Sequence, residues 1–478
     1  MKKYWNIYSK ILLTISAIIS FVVLGSQKPV QAEEKTYVIG TDTTFAPFEF
    51  QDTNGDFVGI DMDLLKEIAE LEGFKVEIKA LGFNAALQAL ESNQIDGMIA
   101  GMSITDERKA KFDFSESYFD SGVGMAVAAE STISTYEDLK GKTVAAKIGT
   151  QGATFAESIK DKYGFTITTF EDSANMYEDV ISGNSVAAFE DYPVMGYAIK
   201  SASLPLRLTD YLEEANQYGF AVSKGKNAEL LADFNAGLAK LKANGRYDEI
   251  INKYISTAEE SSEDTSFLGL IKTNMPALAK GLWTTLWITL ISISIALIIG
   301  IALGLMKTSH ITALEWIATI YIDIMRGIPL IVLAFFIYFG IPQLLGIRFD
   351  AITAGILTLS LNAAAYVGEI VRGGINAVDG GQSEAALSLG LPYKISMVKV
   401  ILPQAFRIMI PSFINQFVIT LKDTSILSII GLVELTQTGK IIIARNLQSS
   451  SVWLIVGIMY LVIITILTKL SSRLERNI

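Results

Sequence analysis

Four stretches in the last two-fifths of the chain carry no charged residue. They run over 281–306, 327–347, 351–368 and 446–468, which is 26, 21, 18 and 23 residues. A bilayer core about 30 Å thick is crossed by roughly 20 such residues in a helix. A backbone in hydrocarbon must satisfy its own hydrogen bonds, so these runs are predicted to be membrane-spanning helices. A further apolar run, 408–421, is interrupted by Lys422-Asp423-Thr424-Ser425 and resumes over 426–433. It reads as a fifth, broken helix. A charge pair inside such a run is costly, so Lys422 and Asp423 are expected to face the bundle interior or the path of a transported solute.

The rest of the chain differs in charge. Residues 1–32 hold four Lys and no acid, 33–264 hold 41 acids against 20 bases, and 265–478 hold 9 against 15. The acidic middle repels phosphates, which argues against nucleic acid as a partner. The chain has no cysteine and one histidine, His310. That excludes disulfide frameworks, thiolate nucleophiles and Cys-ligated metals, and it leaves no histidine cluster for a metal site or catalytic triad. No metal site is expected.

Residues 1–32 combine Lys2, Lys3 and Lys10, an uncharged run from Ile11 to Gln27 and the small-residue pattern Val30-Gln31-Ala32. This is the pattern of a signal peptide. Residues 33–257 alternate strand and helix signals. Tyr37–Gly40 reads as a strand, and Leu64, Leu65, Ile68 and Leu71 recur at helical spacing behind Asp61 as cap. Lys75–Ile78 and Gly97–Ala100 read as strands, and a second set begins at Lys142–Ala146. Such alternation predicts parallel sheets covered by helices. Residues 258–274 are expected to be a polar linker, and 275–478 the membrane domain. If 33–257 lies outside, five spans leave the C-terminus inside. The loops then placed in the cytoplasm hold Lys307, Arg372, Lys394, Lys399 and Arg407, against Arg348, Lys440 and Arg445 outside, in keeping with the positive-inside bias.

Two segments suit capture of a free amino acid, which offers a carboxylate, an ammonium and a side chain. Gly101-Met102-Ser103-Ile104-Thr105-Asp106-Glu107-Arg108 runs from a strand into a helix and ends on a guanidinium fork. Phe189-Glu190-Asp191-Tyr192-Pro193 ends a strand on two acids. Together with Gly40-Thr41-Asp42-Thr43-Thr44-Phe45-Ala46-Pro47-Phe48, Gly59–Asp63 and Lys147-Ile148-Gly149-Thr150, in this order, they resemble the extracellular solute-binding proteins for polar amino acids over about 37–256. The resemblance implies an α/β bilobal clamshell whose lobes are joined by two crossing strands, near 121–129 and 217–223. It also implies roles. Arg108 grips the α-carboxylate, helped by backbone N–H groups at Ser103 and near Gln151. Asp191, with Gly101 and Ser103, holds the ammonium. Phe45 and Phe83 sandwich the side chain, and Asp42 and Lys147 meet its polar end. Glu190 and Gln151 stand where many glutamine-binding relatives have His and Gly. An acceptor beside a donor suits an uncharged amide, so glutamine is expected, with glutamate or asparagine possible. Asp42 with Glu190 would instead suit arginine or lysine.

In the membrane half, Ser383-Glu384-Ala385-Ala386-Leu387-Ser388-Leu389-Gly390 precedes Ile401-Leu402-Pro403. Arg326–Leu330 and Tyr366–Gly374 lie upstream. These segments resemble the EAA loop and flanking sequences of polar amino-acid ABC permeases over about 275–475. The resemblance implies an all-α permease of five helices, a homodimer embedded in lipid, and a separate ATPase docking at Glu384, Ala385, Ala386 and Gly390. ATP and magnesium would belong to that partner. This chain is expected to be no enzyme and to need no cofactor, for Gly141-Lys142-Thr143 lacks the earlier glycine of a P-loop, Tyr136 standing there. A clamshell sensor or channel is the alternative, but no filter-like segment or soluble output domain is evident. A tethered receptor without a lipid-anchor cysteine is compatible with a Gram-positive cell surface.

Overall fold

The computed structural model describes residues 35–255, 264, 266–309 and 311–475. The expected signal peptide and the first part of the expected linker, 258–263 and 265, lie outside the described residues. The fold is an α/β clamshell followed by an all-helical membrane region, as the sequence predicts.

Lobe 1 is a five-stranded sheet in the order Lys75–Leu81, Thr36–Asp42, Gly97–Met98, Ala221–Ser223, Phe112–Phe114. The first three strands run parallel, and Ala221–Ser223 is antiparallel to its neighbours. Helix α1 (Ile60–Glu72) buries Leu64, Leu65 and Ile68, whereas Leu71 is exposed. Asp61 does not cap this helix. Gly59, with φ +125°, takes the cap position because a Cβ there would lie 2.2 Å from the Phe48 carbonyl oxygen. Asp61 is buried two residues further on. Helix α2 (Phe83–Glu91) follows the second strand.

Lobe 2 repeats the architecture in the order Thr166–Phe170, Thr143–Lys147, Ala187–Asp191, Phe119–Ala128, Leu206–Tyr218. It carries α3 (Gln151–Tyr163), α4 (Ser173–Ile181) and α5 (Tyr192–Ser201). The chain then returns to lobe 1 for α6 (Ala228–Ala243) and α7 (Arg246–Ile255). These bury Leu230, Phe234, Leu238 and Ile250 in one core with Ile68 and Phe220. The outward crossing lies earlier than expected. Residues 121–128 already belong to the lobe 2 sheet, and the chain passes between lobes near 115–119, where the Tyr118 N–H donates to the Tyr218 carbonyl. The return falls at 218–221, within the expected range.

In the membrane half, α8 spans Phe267–Lys307, with the Ser266 hydroxyl accepting from the Gly269 N–H. The stretch 267–274, read as linker, is therefore its first two turns. Helices α9 (Thr312–Gly327) and α10 (Leu330–Leu345) meet at 102°. The expected span over 327–347 is met by α10, which a break at Ile328-Pro329 separates from α9, because proline forces the residue before it out of the helical region and Ile328 is extended at φ −92°, ψ 125°. Helix α10 alone, at 1.5 Å per residue, is about 24 Å long, short of the bilayer core. Next come α11 (Ala351–Asn376), α12 (Gly380–Ser388), α13 (Tyr393–Ile430), α14 (Leu435–Asn446) and α15 (Ser449–Glu475). Among the described residues four helices are long and apolar enough to cross a membrane, or five if the bent pair counts as one. Lys422 and Asp423 mark the point where α13 tightens from α to 3-10 geometry.

Helix packing here depends on small residues, as is common in lipid. A Cβ on Gly300 or Gly304 of α8 would lie 2.5 Å from Val367 or Val371 of α11. In the EAA segment, Glu384, Ala385 and Gly390 are exposed, but Ala386 is buried. Ala386 therefore anchors α12 and cannot face a partner, correcting the expected docking set. Leu387 and Leu389, 50% and 81% exposed, extend the outward face instead.

Candidate functional site

The ends of strands and helices from both lobes converge on a narrow cavity of about 10 Å³, lined by Phe45, Phe83, Gly101, Ser103, Arg108, Lys147, Thr150, Gln151 and Asp191. Eight of the nine residues expected from sequence line it. Asp42 stands one step behind, and Thr150 is an addition. With the lobes in contact through Arg108 and Gly149 and through Lys147 and Asp42, this space is smaller than any amino acid, so a ligand enters only when the lobes part. Larger hollows lie near Tyr192 and at the junction with the membrane half, but neither is lined by a buried acid.

Arg108 belongs to a single helical turn, Asp106–Lys109, capped by Thr105. Its guanidinium donates to the Ser103 carbonyl at 2.9 Å and, across the cleft, to the Gly149 carbonyl at 2.9 Å. The same group lies over the Phe83 ring at 5.3 Å. Beside it, helix α3 points its N-terminus at the cavity. Thr150 caps that end, and helix N-termini favour anions. A fork of donors and a helix end thus face one point, which is the chemistry of a carboxylate site.

Opposite lies Asp191, 4% exposed, accepting from the Tyr218 hydroxyl at 2.6 Å. Burial pushes its carboxyl up to about 7, and neighbouring Glu190 adds to the rise, while the Tyr218 hydrogen bond and the Arg108 charge oppose it. Its other oxygen, Oδ1, has no hydrogen-bond partner among the described residues. A buried carboxylate oxygen without a donor is a place for a ligand cation.

The third wall is an ion pair between lobes. Lys147 Nζ lies 2.5 Å from Asp42 Oδ2, and each side chain is 1% exposed. Lys147 also donates to Thr44 Oγ1 at 3.3 Å and lies 5.0 Å from the centre of the Phe45 ring. Burial alone would lower the Lys147 pKa, but Asp42 and Glu190 outweigh it and raise it, so the ammonium stays charged. Glu190 is buried behind it. It accepts from Ser173 at 2.5 Å and from the Tyr177 hydroxyl, and burial pushes its carboxyl up.

Gly101 shapes the remaining wall. It has φ +51°, and a Cβ there would lie 2.5 Å from the Phe45 ring. Its N–H donates to Asp61 at 2.8 Å, and Tyr118 donates to the same carboxylate oxygen at 2.8 Å. The sequence reading missed Asp61, Tyr118 and Tyr218 as supports of the site. Tyr218 was within reach of it, since it lies on the expected return crossing, whereas Asp61 resembled an ordinary helix cap.

Residues 37–257 match the bacterial extracellular solute-binding proteins, family 3, and 296–478 match the inner membrane component of binding-protein-dependent transport systems. The membrane half is 40% identical over 204 residues to the arginine transport system permease protein ArtQ of Bacillus subtilis, covering 43% of this chain and 93% of that protein. The chain belongs to the amino-acid ABC transporter permeases. The glutamine transport system permease protein GlnP of Escherichia coli is 38% identical over 204 residues, covering 42% of this chain and 93% of its own length. The solved substrate-binding domain 2 of Lactococcus lactis GlnP, in an open conformation, is 42% identical with a TM-score of 0.38, covering 48% of this chain and 98% of that one. This permease is thus fused to a solute-binding domain, and no ATPase domain is found in it.

Proposed function

We propose that the chain is the receptor–permease subunit of an importer for glutamine. The observation that carries this reading is buried Lys147 on the cavity wall with its partner Asp42 directly behind it, which sets a donor and an acceptor beside the apolar slot of Phe45 and Phe83. A carboxamide satisfies both, whereas a charged side chain would leave one of them opposed by a like charge. In this reading Arg108 and the α3 N-terminus hold the α-carboxylate, and Asp191, with Gly101 and Ser103, holds the ammonium. Glutamate and asparagine fit less well, by charge and by length. A second reading, a cationic amino acid, draws on the acid excess of Asp42 and Glu190 over Lys147. It also accords with a permease relative named for arginine transport.

Calorimetry of the twenty amino acids on the full chain in nanodiscs tests the choice. Glutamine is expected to bind tightest, and arginine binding tenfold tighter than glutamine would overturn the assignment. The same titration at several pH values tests Asp191. Its carboxyl must be ionised to pair with an ammonium, so affinity should fall about tenfold per pH unit below 7. The empty receptor behaves oppositely. Because this carboxyl is raised from the ordinary 3.8 to about 7, its contribution to stability is lost as pH rises through that window.

The receptor half is placed outside the cell, and the C-terminus with the EAA segment is placed in the cytoplasm. Two copies form the pathway, and a separate ATPase docks on Glu384, Ala385, Leu387, Leu389 and Gly390. Glu384→Lys should leave glutamine binding intact while lowering ATP-driven uptake into proteoliposomes at least tenfold. Unchanged uptake would remove the docking role.

A further inference from the structure

Both lobes of the receptor touch the permease, but unequally. Lobe 1 is joined to it at several points. Arg348 pairs with Asp96 at 2.7 Å, the Phe349 N–H donates to the Gln94 side chain at 3.1 Å, and the Gln94 amide donates to the Ile347 carbonyl at 3.3 Å. Gly431, with φ +76°, lies so close beneath the receptor that a Cβ there would be 2.3 Å from Leu81 and 2.7 Å from the Ala80 carbonyl oxygen. Leu81 and Phe83 share an apolar cluster with Leu333, Leu427 and Ile430 of the permease. The tether leaves from lobe 1 as well. Helix α7, held to α1 through Tyr254 and Asp63, ends at Ile255, and α8 begins at Phe267. Among the described residues, lobe 2 meets the permease chiefly where α4 meets the corner between α14 and α15. There Ser449 donates to the Asn175 side chain at 2.9 Å, and Leu447 packs beside Ala174 and the apolar cluster around Met176.

That corner holds both lobes at once. Arg445, two residues before Leu447, donates to the Asp52 carbonyl of lobe 1 at 2.9 Å. Leu447 takes φ +54°, a left-handed conformation that a leucine adopts only when its surroundings hold it there. The helix leading to it is gripped on two sides. A Cβ on Gly281 of α8 would lie 2.5 Å from Thr438 Oγ1, and one on Gly439 would lie 3.0 Å from Val456 of α15. Helix α14 is thus a strut between two membrane helices whose far end bridges the lobes.

We infer that lobe 1 is the fixed base of the receptor on the permease, that lobe 2 is the moving jaw, and that the Arg445–Ser449 corner is the permease element that meets the jaw when the cleft closes. This deepens the receptor reading above by naming the surface through which closure reaches the membrane helices. A rigid element that contacts both lobes in one geometry favours that geometry over the open one by its differential contacts.

The test needs no ligand, so it stands apart from the choice of amino acid. The chain has no native cysteine, and a Cβ on Gly149 would lie 3.9 Å from the Asn84 Cβ across the cleft, within disulfide reach. Oxidised Asn84→Cys/Gly149→Cys locks the lobes together, and Lys147→Glu, which sets an acid against Asp42, props them apart. Amide hydrogen exchange on both variants in nanodiscs is the readout. Protection of α4 and of 447–452 should be at least tenfold greater in the locked form. Protection of 94–98 and 347–350 should be equal in the two, and that of 123–127 should show lobe 2 folded in both. Equal protection at the corner, or loss at 94–98 in parallel with α4, would overturn the inference. Leu447→Asn, which tolerates the left-handed backbone but removes the apolar tip, should lower α4 protection in the locked form and leave 94–98 unchanged. An unchanged α4 would also overturn it.

Discussion

Replacing Arg108 with alanine is expected to abolish amino-acid binding at micromolar concentrations. In the proposed site the guanidinium supplies the fork of donors for the carboxylate, and it is fixed by two carbonyls, those of Ser103 and Gly149. Truncating one member of a buried, hydrogen-bonded charge pair costs about 2–5 kcal/mol, which is at least a thirtyfold loss and at the upper end a thousandfold or more. The change also removes a contact between lobes, so the closed form loses support. Calorimetry with glutamine on the full chain gives the answer, and micromolar binding by Arg108→Ala would refute the carboxylate assignment. Arg108→Lys should fall between, because a lysine keeps the charge but not the planar fork.

Lys147→Met is expected to reverse the side-chain preference. Lys147 faces Asp42 from the opposite lobe and lies in front of Glu190. Without its ammonium the wall keeps two acids and no base, a site that rejects a neutral amide and rewards a cation. Glutamine should weaken at least tenfold while arginine strengthens, so that their ratio changes by about two orders of magnitude, or about 2.7 kcal/mol. Competition of arginine against labelled glutamine measures the ratio directly. A parallel loss of both ligands would show that Lys147 serves closure alone and not side-chain choice.

Local pattern in the sequence pointed only to Ser103 and Arg108, where a strand passes into a helix, and to the acids ending the strand at Asp191; Phe45, Phe83, Gly101, Lys147 and Gln151 were expected from the resemblance to amino-acid-binding proteins. The structure brings all eight to one cavity. The supporting residues were not legible in this way. Asp61 lies early in a helix, as many capping acids do, and its contact with Gly101 spans 40 residues. Tyr218 meets Asp191, 27 residues earlier, because it ends the long lobe 2 strand where the chain returns to lobe 1. In the membrane half, charge-free length predicted helices, but it carried no information on bending. The break at Ile328-Pro329 had a local signal in the proline, and the angle of 102° did not.

From its order of residues alone this chain had to place an acidic α/β receptor ahead of apolar membrane helices. Burial of uncharged runs and strand–helix alternation are local free-energy requirements that any fold of it must meet. Which lobe rests on the permease, and which permease corner spans the cleft, was decided by tertiary structure. Those choices depend on contacts such as Asp96 with Arg348 and Asn175 with Ser449, 252 and 274 residues apart in the chain. No periodicity encodes such pairs, because their energy exists only once both surfaces have formed.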